Sequence, residues 1–305
     1  MSNTLPPALQ IFERGWLSAN GILFRGSEEC VLVDSGYASH AAQTIALVSH
    51  ALDGRPLDRL LNTHLHSDHC GGNAALQQRY PALRTYIPTG EARHVAQWDE
   101  DGLSFRATGQ HCPRFRFEEQ LQPGSSQWLG DLAWQVHGAP GHDPHSIVLF
   151  EPASATLISA DALWENGFGV VFPELVGEPS FDEVSATLDL IEKLAPRTVI
   201  PGHGRTFYDV ATALATARKR LAGMAMQPHK HARHALKVLM KFKLLDAQTL
   251  SAEQWQSWCV ATPYFEVVRR RFFSAEDLRM LLEDVLCDLI ASGAARRAAG
   301  HVLNA

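Results

Sequence analysis

The sequence predicts a layered α+β core followed by a mostly helical C-terminal part. Between about residues 20 and 200, short apolar β-branched runs come first and then alternate with segments of helical spacing. After residue 208 the apolar residues follow helical spacing almost throughout. The charge changes at the same place, since residues 1–210 carry 13 Lys and Arg against 25 Asp and Glu, and residues 211–305 carry 14 against 8. We therefore expect two domains, residues 1–210 and residues 211–305.

The composition excludes several classes of protein. With 46% hydrophobic and 20% charged residues, the 305-residue chain can bury a full core, so global disorder is excluded. The first residues lack a basic stretch followed by an apolar one, and no run of 18 apolar residues occurs, so we expect neither a signal peptide nor a membrane partner. Five scattered cysteines without a CxxC pattern argue against a disulfide framework and favour a cytoplasmic location.

The predicted elements follow from local patterns. Strands are predicted at residues 20–26, 30–36, 57–63, 132–137, 146–150, 155–159 and 198–201. Helices are predicted at residues 38–52, 73–79, 181–194, 210–226, 232–245 and 275–291, with a hairpin at 295–303. Three helices and a terminal hairpin are the elements of a winged-helix module, so the C-terminal part is predicted to be winged-helix-like.

A dense histidine cluster follows the strand at residues 57–63. His64, His66, Asp68 and His69 lie within six positions, and Gly71-Gly72 lets the chain turn behind them. Neutral imidazoles and carboxylates are natural ligands of zinc, iron and manganese. Four such donors at this spacing are typical of a metal site, whereas one isolated histidine is more often an ordinary core residue.

Three later positions repeat this local pattern of a polar residue directly after a strand. His142 stands in a Pro-Gly-His turn, Asp161 ends a predicted strand, and His203 stands in a Pro-Gly-His-Gly turn. Each is a weak signal by itself, because Asp161 could equally be a helix N-cap and the turns could be ordinary. Together with the first cluster they favour a single metal site.

These motifs, in this order, resemble those of the metallo-β-lactamase superfamily. The resemblance spans residues 34–204 and implies an αββα four-layer sandwich with a two-metal site at the mouth between its sheets. Within the superfamily the chain resembles the glyoxalase II, lactonase and endoribonuclease-like branch, because an Asp stands at 161 and only 41 residues separate it from His203. The implied metal ligands are His64, His66 and His142 for one ion, Asp68, His69 and His203 for the second, and Asp161 between them.

The resemblance also suggests roles for residues around the ligands. Asp68 and Asp161 are the candidate catalytic residues. Asp34 is expected to orient a ligand histidine from behind, unless it only caps a helix. His145 is a candidate for the same supporting role or for contact with the leaving group, although an ordinary turn residue is at least as good an interpretation. Cys70 is expected to be a small packed residue rather than a nucleophile.

Three aromatic residues after Asp161 are candidates for the substrate pocket. Trp164, Phe168 and Phe172 are flanked by glycines and resemble the equivalent loop of the endoribonuclease-like branch. Core packing is an equally good interpretation of all three.

The expected function is that of a binuclear metal-dependent hydrolase acting on a small ester, thioester or lactone. Two divalent ions about 3.5–4 Å apart can hold a bridging hydroxide at neutral pH, so no serine or cysteine nucleophile is needed. Zinc is the expected metal, with iron and manganese as alternatives. The expected partner is a small-molecule substrate, and the sequence does not determine the oligomeric state.

Two alternatives remain open at this point. The basic residues of 211–305, including Arg269, Arg270 and Arg271, could steer RNA or another phosphodiester, which would make the protein an endoribonuclease or phosphodiesterase, or they could simply form a solvated face. Nucleic acid is the less favoured partner. A non-enzymatic sensor on the same scaffold is the third interpretation, although a complete ligand set argues against it. The remaining C-terminal histidines are expected at the surface: His229, His231, His234 and His301.

Overall fold

A six-stranded mixed sheet forms from the first half of the chain in a computed structural model that describes residues 5, 6 and 8–305. The start of the chain, where no signal peptide is expected, lies largely outside the described residues. The strands are β1 Leu9–Phe12, β2 Gly21–Arg25, β3 Cys30–Val33, β4 Arg59–Leu61, β5 Arg84–Pro88 and β6 Glu119–Leu121. They lie in sequence order, antiparallel from β1 to β3 and parallel from β3 to β6.

A second sheet of five strands faces the first. Its strands are β7 Ser126–Leu129, β8 Leu132–Gly138, β9 Ile147–Glu151, β10 Thr156–Ala160 and β11 Thr198–Pro201. Their order is β11-β10-β9-β8-β7, and only β10 and β11 are parallel. A small antiparallel sheet near the C-terminus has the order β12-β14-β13, with β12 Thr249–Ser251, β13 Ala295–Ala298 and β14 His301–Asn304.

The helices of the first 200 residues lie outside the sheets or in the connections that follow strands. They are α1 Ala41–Leu52, α2 Ser67–Cys70, α3 Asn73–Arg79, α4 Ala92–Gln97, α5 Phe105–Thr108, α6 Phe172–Val176 and α7 Phe181–Leu194. The C-terminal helices are α8 Val210–Met226, α9 Pro228–Ala247, α10 Ala252–Ala261, α11 Pro263–Phe272 and α12 Leu278–Ala291. Among the described residues, no helix has both the length and the apolar composition that a membrane crossing requires.

Alternation along the strands separates three buried layers. On β2, Ile22 and Phe24 point between the two sheets, whereas Leu23 packs beneath α1 and α3. On β9, Leu149 points between the sheets, whereas Val148 packs beneath α7 and α8. The layers are therefore helix, sheet, sheet and helix, which confirms the four-layer sandwich that the sequence motifs implied.

The C-terminal helices α9 to α12 enclose a separate apolar cluster with the small sheet. Val170 and Leu175, from the segment after β10, pack into this same cluster and join it to the sandwich. Helix α8 belongs instead to the outer layer, where Ala213 and Ala217 pack in the cluster that α7 covers. The helical C-terminal part is confirmed, and its winged-helix character stays a prediction.

Two C-terminal helices were not predicted from the sequence. Helix α10 buries only Trp255 and Cys259, so its apolar pattern is too sparse to identify. Helix α11 starts at a proline and carries three consecutive arginines, which obscures the apolar face formed by Tyr264, Phe265 and Val268. Sequence periodicity identifies a helix only when the buried face is long enough to repeat.

Candidate metal centre

The candidate ligands lie together because strand ends from both sheets meet at one edge of the sandwich. Asp34 directly follows β3, the cluster from His64 to His69 follows β4, Asp161 follows β10 and His203 lies two residues after β11. His142 lies in the turn that connects β8 to β9. Carboxyl ends of parallel strands share one sheet edge, which is where open α/β sheets usually bind ligands. All seven residues proposed as ligands from the sequence lie at this edge.

Three histidines form the first group. His66 Nδ1 lies 3.1 Å from His64 Nε2 and 2.9 Å from His142 Nε2. Three ring nitrogens that converge on one another cannot all be satisfied by hydrogen bonds, because each neutral ring has only one N–H to donate. A cation placed among them would accept all three lone pairs.

The second group combines two carboxylates and two histidines. His203 Nε2 lies 3.0 Å from Asp68 Oδ2. His69 Nε2 lies 3.4 Å from Asp161 Oδ1 and 3.9 Å from Asp68 Oδ2. The donor atoms of this group all lie within 4.8 Å of one another, as do those of the first group. Each group could hold one metal ion.

Asp161 touches both groups. Its Oδ2 lies 3.4 Å from His142 Nε2 in the first group. Its Oδ1 lies 3.4 Å from His69 Nε2 and 3.9 Å from His203 Nε2 in the second. The indole Nε1 of Trp164 donates a hydrogen bond to Oδ1 at 3.2 Å and helps to fix the carboxylate. One oxygen is therefore directed to each group, which is the arrangement that a bridging carboxylate requires.

Groups behind the histidines determine which ring nitrogen faces the site. Asp34 Oδ2 lies 2.8 Å from His69 Nδ1, and the carbonyl of Val170 lies 2.6 Å from His142 Nδ1. Both oxygens can only accept here, so each Nδ1 carries a proton, and it is the Nε2 of each ring that faces the site and would offer its lone pair to a cation. Asp34 also accepts from the Thr63 backbone N–H at 2.9 Å and from its hydroxyl at 2.8 Å.

The charge states support cation binding. Burial, reinforced by neighbouring histidines, holds the pKa of His64 well below its usual range, and burial lowers the pKa of His142 to about 4. Both rings are therefore uncharged at neutral pH and can act as ligands. Burial acts to lower the pKa of His69 as well, but the carboxylates of Asp161, Asp34 and Asp68 outweigh it and raise that pKa well above its usual range. The second group thus stabilises positive charge at its centre.

The residues at this edge fit divalent cations. His69 Nε2 is buried and makes no hydrogen bond of normal geometry among the described residues. Buried polar atoms normally have a partner, and a metal ion would supply it. Gly202 leaves the room that this packing needs, because a Cβ there would overlap Asp161 Oδ1 and lie 3.0 Å from His69 Cε1. Histidine and aspartate donors suit zinc, iron and manganese alike.

A cavity of about 870 Å³ opens from this site toward the C-terminal helices. Of the aromatic residues expected to line the pocket, Trp164 and Phe172 do so. Phe168 does not, because its ring is buried in the cluster beneath α7 and α8. His145 lines the cavity but is exposed and belongs to neither of the two donor groups. Cys70 is fully buried, as expected, and its Sγ contacts Cys112 at 3.7 Å.

Several residues of the site were not found from the sequence. Trp16 stacks on His203 with ring centroids 5.4 Å apart, and no motif around it indicated this. Thr63 could have been found, because it directly precedes the first histidine. Glu91 lines the cavity, and burial with the nearby Asp143 raises its pKa to about 8, so its carboxyl is largely uncharged at neutral pH. Arg220 lines the same cavity from helix α8.

Two of the four C-terminal histidines expected at the surface are not there. His231 is buried, at 3% exposure, and His234 is partly buried and lines the cavity. The helix α9 that carries them packs against both α8 and α12, which places His231 against Phe181 and His234 against Arg220. His229 and His301 are exposed, as expected.

The sequence between residues 14 and 203 matches the metallo-beta-lactamase superfamily. The chain belongs to this superfamily. The match covers more than half of the chain and includes all seven candidate ligands, and it confirms the family and fold expected from the motifs.

Curated relatives carry the name hydroxyacylglutathione hydrolase. The protein of Aeromonas hydrophila subsp. hydrophila is 30% identical over 180 residues, which are 58% of this chain and 58% of the relative. That of Xanthomonas euvesicatoria pv. vesicatoria is 29% identical over 242 residues, 78% of this chain and 80% of the relative. The chain spans about half the length of several such relatives, for example 48% for the protein of Aeromonas salmonicida.

Solved structures share the fold. A metallo-beta-lactamase family protein from Thermus thermophilus is 19% identical with a TM-score of 0.58, over 99% of this chain and 100% of that one. The protein TTHA1623, solved in a di-iron-bound form, is 26% identical with a TM-score of 0.54, over 68% of this chain and 98% of its own.

Proposed function

We propose that the protein is a metal-dependent hydrolase of a small thioester and that it works with two divalent cations. The observation that carries the proposal is the pair of convergent donor groups joined by Asp161 at the mouth of one cavity. The relatives support the thioester, because hydroxyacylglutathione is an acyl thioester of glutathione. The neighbour solved with two irons supports the number of ions, and zinc remains the metal we favour.

The proposed ligands are those expected from the sequence. His64, His66 and His142 would hold one ion, Asp68, His69 and His203 the other, and Asp161 would contact both. Bound there, divalent cations would lower the pKa of water toward about 7 and polarise the thioester carbonyl. Asp68 and Asp161 are the proposed catalytic carboxylates, and no side-chain nucleophile is required.

The surrounding residues would prepare the site for this chemistry. Asp34 and the Val170 carbonyl keep the Nδ1 protons of His69 and His142 on the far side of the rings. The Trp164 indole and the close approach of Gly202 fix the orientation of Asp161. Trp164 and Phe172 line the cavity together with the proposed ligands and would exclude bulk water from a bound acyl group.

We also propose two parts of unequal role, with a boundary at residue 210. Residues 1–210 would carry all the ligands, and residues 211–305 would close the cavity and shape access to it. Helix α8 would link the parts, since it lies in the outer layer of the sandwich and contributes Arg220 to the cavity wall. A cytoplasmic location stays a prediction.

The test is a hydrolysis panel with metal-reconstituted protein. The panel contains hydroxyacylglutathione, short acyl thioesters, lactones, a phosphodiester and RNA, and elemental analysis gives the metal content. We expect metal-dependent cleavage of thioesters and about two metals per chain. Stoichiometry near zero, or cleavage of RNA or the phosphodiester in preference to every thioester, would overturn the proposal.

A further inference from the structure

Arg220 is an unusual cation in this structure. Its side chain is partly buried on the wall of the cavity that begins at the metal centre. Among the described residues its guanidinium makes one side-chain hydrogen bond, to His234 Nε2 at 3.2 Å, and no ion pair with a carboxylate. Buried or partly buried arginines are normally paired, because desolvating a charge without a partner is costly. The missing partner of Arg220 therefore needs an explanation.

The neighbour that Arg220 does have carries no charge to offset it. Burial, with Arg220 and Lys237 nearby, lowers the pKa of His234 to about 4, so the ring is neutral at pH 7 and its Nε2 accepts from the guanidinium. This contact positions Arg220 and leaves its charge unbalanced. Arg218, two residues earlier on the same helix, shows the ordinary situation, since it pairs with Asp189 at 2.7 Å and Glu192 at 2.8 Å.

The surroundings hold the guanidinium in place. Its Cζ lies 5.6 Å from the centre of the Phe168 ring, which supports it from one side. Gly167, at a φ of +128°, allows the chain to pass close to it, because a Cβ there would lie 2.9 Å from Arg220 Cδ. The segment that carries Phe168 and Gly167 also carries Val170, whose carbonyl orients His142. Arg220 is thus fixed against the same segment that supports the metal centre.

We propose that Arg220 binds an anionic group of the substrate, a carboxylate or a phosphate, while the thioester lies at the metal centre. This inference rests on the proposed thioesterase function and adds the substrate class, a thioester that bears a negative charge away from the reacting carbonyl. Apolar side chains make up most of the remaining wall, among them Val170, Phe172 and Tyr264. Lys237 and Lys241 also line the cavity, but Lys237 lies 3.7 Å from Asp288, and Lys241 donates hydrogen bonds to Asn304 and to the Ala294 carbonyl. A substrate with an apolar portion and a single anionic group matches these walls.

The kinetic test compares substrates that differ only in charge. One pair consists of acyl thioesters of 3-mercaptopropionate and of its primary amide, which places the charge on the leaving thiol. A second pair consists of a glutaryl thioester and its amide, which places the charge on the acyl group. For Arg220→Gln we expect KM for the anionic member of one pair to rise about 10- to 100-fold, with little change in kcat and none for the amide.

Two further variants control for structural effects. Arg218→Gln removes a carboxylate-paired cation from the same helix and should leave both pairs unchanged. Arg220→Lys keeps the positive charge but cannot form the bidentate hydrogen bonds of a guanidinium. It should therefore bind the anionic substrate more tightly than Arg220→Gln and less tightly than the wild type. If Arg220→Gln weakens anionic and neutral substrates equally, or neither, the proposal is wrong. The pair that responds identifies which side of the thioester carries the charge.

A binding measurement separates this proposal from the proposed hydrolysis. Octanesulfonate carries an anion that is a poor metal ligand, and methyl octyl sulfone is its uncharged counterpart. By calorimetry on the metal-loaded protein, we expect Arg220→Gln to weaken octanesulfonate about tenfold or more and to leave the sulfone unchanged. Selective sulfonate binding without thioester cleavage would refute the hydrolase and keep the anion site, whereas equal binding to wild type and variant would refute the anion site.

Discussion

Two sets of buried histidines in this protein have opposite surroundings. At the metal centre, His69 and His203 lie beside the carboxylates of Asp68 and Asp161. In helix α9, His231 is buried and His234 is partly buried, but the charged groups that act on them are Arg220 on both and Lys237 on His234. Burial, together with Arg220 for both rings and Lys237 for His234, lowers the pKa of His231 and of His234 to about 4. The same side chain thus belongs to a candidate metal site in one region and is uncharged beside cations in the other.

The difference lies in what accompanies the imidazole. Carboxylates concentrate negative charge at the sheet edge, so a cation is stabilised there. In α9 a second positive charge would be repelled, and among the described residues no carboxylate forms a metal-binding group with these rings. The count of histidines in a region is therefore a poor guide to metal binding, and the nearby charge is a better one.

The largest effect should come from removing the residue that touches both donor groups. Asp161→Ala leaves each group without its shared carboxylate, so we expect kcat/KM for a thioester to fall about 10³-fold or more and metal content to drop below two per chain. His145→Ala is the matched control, because His145 lines the cavity without belonging to either group. Equal losses of kcat/KM in the two variants would contradict the bridging role.

A smaller effect is expected one layer behind the ligands. Asp34→Asn keeps the size of the side chain, and asparagine tolerates the positive φ of 59° found there. The amide can no longer offer a charged oxygen to both Thr63 Oγ1 and His69 Nδ1, so metal affinity should fall about 10- to 100-fold. Competition with a chelator measures this. Unchanged affinity would indicate that Asp34 only shapes the turn after β3.

Much of the site was predictable from the sequence because its donors follow strands at recognisable spacings. His64, His66, Asp68 and His69 are adjacent in the chain, so their proximity needs no knowledge of the fold. Their supports were harder to predict, since Val170 acts through its backbone carbonyl and Trp16 reaches His203 from an unrelated segment. Backbone groups leave no signature in residue identity.

The C-terminal part was less predictable for a related reason. The packing of α9 against α8 and α12 buries His231, and nothing in its local sequence reports these neighbours. Phe168 illustrates the same limit, because a glycine-flanked aromatic residue can face either a cavity or the core. Tertiary packing decides such cases, and local pattern does not.

The pH dependence of stability tests the contrast between the two histidine sets. His231 has a folded-state pKa of about 4 against about 6.5 when unfolded, so the unfolded chain binds the extra proton first as the pH falls. The folded state therefore loses stability between about pH 6.5 and pH 4. His231→Leu should remove on the order of 2 kcal/mol of this acid-induced loss.

Urea unfolding of metal-free protein at pH 7.0 and pH 4.5 gives the two free energies of unfolding. Metal-free protein is used so that loss of ligands in acid does not contribute. His229→Asn, an exposed position on the same helix, serves as control and should show the wild-type pH dependence. If His231→Leu retains the full acid sensitivity, the histidine titrates normally in the folded protein.

The smallest effect is expected from the arginine run in α11. The sequence suggested that Arg269, Arg270 and Arg271 could steer an anionic substrate, but Glu266 pairs with Arg269 at 2.8 Å and with Arg270 at 2.6 Å. Ion pairs near the protein surface contribute little free energy. None of the three arginines lines the cavity. Replacing all three with glutamine should change kcat/KM for an anionic thioester less than about twofold.

The salt dependence of kcat/KM distinguishes these arginines from Arg220. Long-range attraction by exposed charge weakens as ionic strength rises. If a residue steers the substrate, replacing it with a neutral residue should therefore make kcat/KM depend less on salt concentration. We expect the triple variant to keep the wild-type profile and Arg220→Gln to flatten it, because Arg220 lines the cavity, whereas the three arginines of α11 do not. A flattened profile in the triple variant would mean that α11 attracts substrate despite Glu266, and the basic face of the C-terminal part would then act at long range.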